Sequence, residues 1–360
     1  MIPRQWYYVG FNLVRGIGPA RLRMLLGAFG DVEKAWHAPA EALHAVGLDR
    51  RTLENFLETR ARVDLEKEVR RVTALGAHIL TWEDPGYPRL LREIPDAPPV
   101  LYVRGELRPE DEWAVAVVGT RKVSTYGQEV TRRLVTDLVR AGVTIVSGLA
   151  RGVDAVAHQA ALDAGGRTIA VQGCGIDRVY PPEHRDLARR IAERGAIVTE
   201  YPLGTQPEPG NFPPRNRIIS GLSLGVLITE AGQDSGALIT ADYAAEQGRD
   251  VFAVPGSILA AGCRGTNRLI QDGAKLVLEA ADILRELNLT MLAERSEARQ
   301  VLPTTETESV LLSLLSAEPI HIDELTRAAG LPVSQVISTL TMMELKGLVR
   351  QVGGMKYVVA

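Results

Sequence analysis

Residues 114–154 read AVAVVGTRKVSTYGQEVTRRLVTDLVRAGVTIVSGLARGVD, and the change of pattern inside that stretch decides the fold. An apolar, β-branched run (Val115, Val117, Val118) stops at Gly119. A polar loop follows. Then Val130, Leu134 and Leu138 recur at helical spacing, with Arg132, Arg133 and Asp137 between them. A second apolar run, Val143 to Val146, stops at Ser147-Gly148. Strand, loop, helix and strand in this order predict a βαβ unit with a parallel pair. Ligands of open α/β sheets bind where strands end at their carboxyl edges. The loops found there carry small, basic and hydroxyl residues: Gly119, Thr120, Arg121, Lys122, Ser124 and Thr125 in the first, Ser147, Gly148, Arg151 and Gly152 in the second. Glycine lets a backbone approach a ligand, and a helix N-terminus after each loop favours an anion. The expected ligand is phosphate-bearing; the alternative is a pair of tight turns with solvated arginines.

Outward from this unit the alternation continues. Strands are expected at 168–171, 196–199, 226–229 and 251–254, with helices between, and an N-terminal extension of the sheet at GAHILTW and 100–103. The fold class is α/β, a doubly wound and mainly parallel sheet. Two later loops add candidates. Phe212-Pro213-Pro214-Arg215-Asn216-Arg217 places an aromatic, an amide and two arginines at a helix start, where arginine forks onto phosphate and a ring carries a base. Glu230 through Ser235, Gly236 and Thr240 is a further glycine-and-hydroxyl loop. Asp154 is expected to cap its helix, with His158 one turn on. No third residue is spaced to join them as metal ligands, so the pair reads as structural.

The flanks differ in kind. Residues 1–62 read as a small helical domain with a Gly16-Ile17-Gly18 turn, similar to a helix-hairpin-helix (SAM-like) module that grips backbone phosphate. Residues 63–288 form the sheet domain, 289–305 a charged linker, and 306–360 a winged helix-turn-helix pattern. The recognition helix of that last segment is nearly uncharged, which argues against duplex reading. At 360 residues and net charge −3, any nucleic-acid site is a local patch and not a global field. Two distant cysteines imply no disulfide framework and no metal site. With no bilayer-length apolar run and no signal-peptide pattern, a cytoplasmic protein without membrane contact is expected. Gly173-Cys174-Gly175 lacks the third glycine of a dinucleotide fingerprint, Arg178 standing in its place, and there is no Walker lysine motif. No cofactor is expected.

Six motifs stand in order across 117–274: VGTRKVSTYG, VSGLARGVDAVAHQAAL, FPPRNRIISGLS, TEAGQDSGALITA, RDVFAVPG and GTNRLIQDGA. Together they resemble the DprA/Smf family, whose optional outer domains match both flanks. The resemblance implies a non-catalytic, single-stranded DNA-binding mediator. Such proteins protect incoming DNA in natural transformation, load RecA onto it and cooperate with single-strand binding protein. It implies a Rossmann-like domain that binds DNA and forms a homodimer. The residues carried over are Gly119, Thr120, Arg121, Ser147, Gly148, Arg151, Gly152, Phe212, Arg215, Asn216, Arg217, Ser235, Gly236 and Thr240, with Lys275 as an addition. Thr120 stands where serine is common and keeps the hydroxyl. The region from Ile258 to Lys275 is where the dimer and RecA surfaces are expected. Two alternatives remain: a nucleotide-binding sensor, and a nucleoside-monophosphate phosphoribohydrolase, whose P-G-G-x-G-T-x-x-E loop has its glutamate where this chain has Thr240.

Overall fold

The computed structural model describes residues 2–289, 305–316, 319–345 and 348–359. The expected linker at 289–305 falls almost wholly outside these residues. The chain divides into two units, residues 1–289 and 290–360.

The first unit is built on nine strands: β1 (Ala77–Thr81), β2 (Val100–Gly105), β3 (Ala114–Val118), β4 (Thr144–Ser147), β5 (Thr168–Val171), β6 (Ala196–Thr199), β7 (Gly225–Ile228), β8 (Asp250–Ala253) and β9 (Lys275–Leu276). Their order is β1-β2-β6-β5-β4-β3-β7-β8-β9. From β6 to β9 every neighbour is parallel; β1 and β2 add an antiparallel edge. The chain lays β4, β5 and β6 outward on one side of β3, then returns to lay β7, β8 and β9 on the other. That reversal between β3 and β7 is the topological switch point, where open sheets form a ligand crevice. Every residue of β3 to β7 is buried, as a sheet covered on both faces requires.

Side chains alternate between two cores. Ile169, Val171, Ala196 and Val198 face one, packed with Ile218 and Ile219 of the helix Phe212–Gly221. Ala170 and Ile197 face the other, which also contains Phe11, Trp36 and Phe56 of the N-terminal helices. Those three rings pack at centroid distances of 5.2 to 5.4 Å. Tyr102 Oη of β2 donates to Asn12 Oδ1 at 3.1 Å, and Asn12 Nδ2 donates to Glu200 O at 3.2 Å. The helical segment expected to stand alone at 1–62 therefore shares its core with the sheet, inside one unit. Its turn exists: Gly16 has φ 101°, between the helices Trp6–Leu13 and Pro19–Phe29. Arg21 beside it is folded back onto Gly16 O, Thr52 and Asp49.

The second unit holds the helices Glu306–Leu314, Ile322–Ala329 and Val333–Leu345. Strands Val349–Gly353 and Lys356–Val359 form the expected wing. A third strand, Ile320–His321, pairs with the second of these and is too short to carry a sequence signature. Val336, Leu340 and Met343 of the last helix are buried, while Val333, Ile337 and Met342 are exposed.

Two buried groups fix the packing around the sheet. Arg217, on the helix Phe212–Gly221, donates to both carboxylate oxygens of Glu200 at 2.5 and 2.7 Å and pairs with Asp96 at 2.9 Å. His158 is fully buried, with Nδ1 2.7 Å from Thr168 Oγ1. That hydroxyl gives its proton to Ile145 O at 2.8 Å, so the ring supplies Nδ1–H; Nε2 is buried without a partner, and that burial keeps the ring neutral. Asp154 does not cap its helix as expected. Gly152 precedes the helix Val153–Asp163, and the Asp154 carboxylate turns back to accept from the Gly148 and Ala150 amides at 3.2 Å.

Two outcomes follow for stability. Arg217→Ala leaves Glu200 unpaired under the helix, a loss of about 3–5 kcal/mol, read as a fall of several degrees in the thermal midpoint. Burial, helped by His184 and Arg215, pushes His158 down to about 3. An unfolded histidine titrates near 6.5, so the unfolded chain binds the extra proton between those values. The stabilisation is complete above about pH 6.5 and is lost as pH falls toward 3. In denaturant titrations the wild type should therefore lose about 1.4 kcal/mol more per pH unit below about 6 than His158→Gln does; parallel pH profiles would refute the neutral buried ring.

Candidate functional site

The loops after β3, β4 and β7 meet backbone to backbone. Thr120 N–H donates to Glu230 O at 2.7 Å, and Thr120 O accepts from Val153 N–H at 3.1 Å. Glycine is required where they touch. A Cβ on Gly119 would lie 2.7 Å from Glu230 O; one on Gly152, at φ 78°, would lie 2.2 Å from Thr120 O. The Glu230 carboxylate completes the joint by accepting from Ser124 N and Oγ at 3.0 and 2.9 Å.

Over this joint lies a cleft of about 840 Å³. It runs along the carboxyl ends of β5, β4, β3, β7 and β8, four strand spacings or about 19 Å. Nine of the fifteen residues marked in the sequence line it: Gly119, Thr120, Arg121, Phe212, Arg215, Asn216, Ser235, Gly236 and Thr240. Arg215 is its floor, only 4% exposed. Its guanidinium donates to Gly148 O at 2.7 Å and to Val171 O, bridging the ends of β4 and β5. Burial lowers its pKa to about 10, with Asp154 opposing that shift, and raises Asp154 in turn. Arg215 Nε has no partner. Thr240 is buried in the wall. The helices starting at Val153, Phe212 and Ala237 have no side-chain cap toward the cleft. In the second of these, Pro213 and Pro214 remove two first-turn donors.

The other six sit elsewhere. Ser147 is buried and donates to Val117 O at 2.7 Å, a strand-to-strand tie. Gly148 and Gly152 lie beneath the floor, where the contacts just described need a missing side chain. Arg151 pairs with Glu183 at 2.5 Å. Arg217, expected to fork onto phosphate, is committed to Glu200 and Asp96 on the far side of its helix, because the turn from Arg215 to Arg217 is about 200° at 3.6 residues per turn. Lys275 is on the outer strand β9, paired with Glu286 at 2.8 Å.

The cleft also contains residues outside that set. Lys122, Arg264, Tyr180, Gln233 and Asp234 all line it. Among the described residues, the exposed side chains of Arg121, Lys122 and Arg264 make no hydrogen bond or ion pair. Arg121 lies 5.8 Å over the Phe212 ring. Lys122 had a signal in its place beside Arg121. Arg264 directly precedes the GTNRLIQDGA motif at the start of the helix Arg264–Gln271. Chemically the arrangement presents uncompensated cations and aromatic faces side by side, suited to a ligand with both phosphate and base. The described residues hold no cluster of three metal-ligating side chains, and none of their helices is long and apolar enough to cross a membrane.

A family model described as DNA recombination-mediator protein A matches residues 78–288, and one described as the DprA winged helix domain matches residues 295–355. The chain is 38% identical over 390 residues to Protein Smf of Synechocystis sp., spanning 98% of each chain. It is 39% identical over 349 residues to Protein Smf of Escherichia coli, spanning 93% of each. The X-ray structure of DNA processing protein A from Streptococcus pneumoniae superposes with a TM-score of 0.71 at 37% identity, over 79% of this chain and 99% of that one. DNA processing protein A from Helicobacter pylori, described with its single-stranded DNA binding mode, superposes with a TM-score of 0.53 at 31% identity, over 59% of this chain and 95% of that one. On sequence, fold and both matched domains, the chain belongs to the DNA recombination-mediator protein A (DprA/Smf) family.

Proposed function

We propose that this chain binds single-stranded DNA along the cleft, without catalysis, and as a cytoplasmic homodimer delivers the strand to RecA, with single-strand binding protein as a further partner. The observation that carries the reading is the set of three exposed, unpaired cations, Arg121, Lys122 and Arg264, beside exposed aromatic surface. Other cations near the cleft are paired, Arg151 with Glu183, Arg178 with Asp177 and Arg217 with Glu200. Phosphate contacts supply affinity without sequence, and a flexible strand follows a curved cleft that duplex, with a persistence length of about 150 base pairs, does not. The H. pylori relative supports the ligand class. Hydrolysis of a base–sugar bond commonly uses a pair of carboxylates. Here Glu230 holds Ser124, Asp154 is buried on the Gly148 and Ala150 amides, and Thr240 fills the position of the hydrolase glutamate. Asp234 alone stands in the open.

The dimer reading rests on the far edge of the sheet. Ile258 and Leu259 after β8 are 81% and 88% exposed, and Leu278 just past β9 is 73% exposed. β8 and β9 are paired, Ala253 opposite Leu276, and β9 is the last strand of its sheet. An open strand edge beside bulky apolar residues fits a self-complementary contact.

Fluorescence anisotropy of labelled oligo-dT against salt tests the ligand. The wild type should bind with affinity that falls steeply as salt rises and that equal-length duplex fails to compete away. Arg121→Ala, Lys122→Ala and Arg264→Ala should each flatten the log–log salt slope by about 0.7. No binding at low salt would overturn the reading. For assembly, light scattering at micromolar concentration should give twice the chain mass. The double variant Leu259→Glu, Leu278→Glu should give one chain mass; a monomeric wild type would reject the dimer.

A further inference from the structure

Resting on the single-strand reading above, we propose that Tyr180, and not Phe212, offers the free face on which a base of the bound strand stacks. Phe212 is the aromatic at the helix start that sequence logic selects, yet its ring is already engaged. The Arg121 and Arg215 guanidiniums each lie 5.8 Å over it. A Cβ on Gly173 would come within 2.9 Å of its Cδ1, so the ring is seated against that backbone. Phe212 is thus a packing post that orients two arginines.

Tyr180 is placed differently. It lines the cleft at its β5 end, is 41% exposed, and its ring centroid is 5.6 Å from that of Phe212 with planes 37° apart. A base cannot enter between the two rings, because intercalation needs two stacking intervals of about 3.4 Å, or about 7 Å. The outer face of Tyr180 is the surface left to it. The Tyr180 hydroxyl makes no hydrogen bond among the described residues, and the ring rests on Phe212 alone among the aromatic rings there.

The loop carrying it is nonetheless fixed on both sides. Arg104 donates to Ile176 O at 2.6 Å, Gly204 N–H donates to Asp177 Oδ1 at 3.0 Å, and His184 Nδ1 meets Leu149 O at 2.9 Å. Ile176 and Pro181 are buried. An aromatic ring held out toward solvent by an anchored loop, beside unpaired cations, is a preorganised stacking platform: its ordering cost is met by folding and not by binding. It also gives the cleft a direction. A base sits at the β5 end on Tyr180, and phosphates run toward Lys122 and Arg264 at the β3 and β8 end.

The test compares oligo-dT with an abasic strand of equal length, by anisotropy, for wild type, Tyr180→Phe, Tyr180→Leu and Arg121→Ala. Tyr180→Leu should weaken oligo-dT binding by about 5- to 150-fold and leave abasic binding unchanged, while Tyr180→Phe stays near wild type on both. Arg121→Ala should weaken both strands alike. If Tyr180→Leu binds oligo-dT as wild type does, or loses equally on the abasic strand, the stacking role is overturned while the cleft remains the binding site. A thermal midpoint for Tyr180→Leu equal to wild type accompanies the expected result; a lowered midpoint together with loss on both strands counts against it. A wild type that binds neither strand removes the single-strand reading itself.

Discussion

The backbone of Thr120 is the joint on which the cleft depends. Its N–H reaches the loop after β7 and its C=O the loop after β4, so one residue fastens three loops at the switch point. The joint can close only because Gly119 and Gly152 carry no side chain; in each case a Cβ would run into backbone. Glu230 then clamps the fourth side through Ser124, which caps the helix Thr125–Arg140. The consequence for function is rigidity. With the loop backbones tied to one another, the side chains that remain outward are held in place without needing partners. Arg121 and Lys122 extend from the residues next to the joint, which is why they stay unpaired in a chain that pairs most of its arginines.

This clarifies what the glycine-rich loops are for. A sequence reading assigns such glycines to ligand approach, since that is the commonest reason for a glycine at a strand's carboxyl end. Here Gly148 and Gly152 are under the cleft floor and serve the approach of one loop to another, with Gly148 opposite the Arg215 guanidinium and the Asp154 carboxylate. The same inversion applies to the arginines. Arg215 and Arg217 are two residues apart on a helix and so face different ways. One becomes a buried floor and the other a buried tie to Glu200 and Asp96. Neither is an open fork for phosphate.

The strands, their parallel pairing and the winged segment were legible because each rests on local periodicity, which a sequence displays directly. β3 and β4 are apolar throughout because both faces are covered. What could not be read was direction around a helix start and partnership across long separations. Nothing local tells that Arg217 will find Glu200, that Lys275 will find Glu286, or that Asp154 will turn back on Gly148 instead of capping its own helix. The shared core between the N-terminal helices and the sheet was hidden for a related reason. Phe11, Trp36 and Phe56 share one core with Ala170 and Ile197 of the sheet, and the polar tie through Asn12 to Tyr102 and Glu200 spans 90 and 188 residues.

A chain of net charge −3 presents a basic patch only by separating its charges. Most exposed arginines on the outer helices are paired within one turn, as Arg70 with Glu66, Arg89 with Glu93 and Arg189 with Glu193. Such pairs contribute little stability, but each cancels the local field of its arginine. At the cleft the compensation stops: three cations face a single open carboxylate, Asp234. At physiological salt, with a Debye length of about 8 Å, paired charges project little field, while the unpaired Arg121, Lys122 and Arg264 give the cleft a local positive one. The basic character of the cleft is therefore set less by how many cations the protein has than by where it leaves them unpaired.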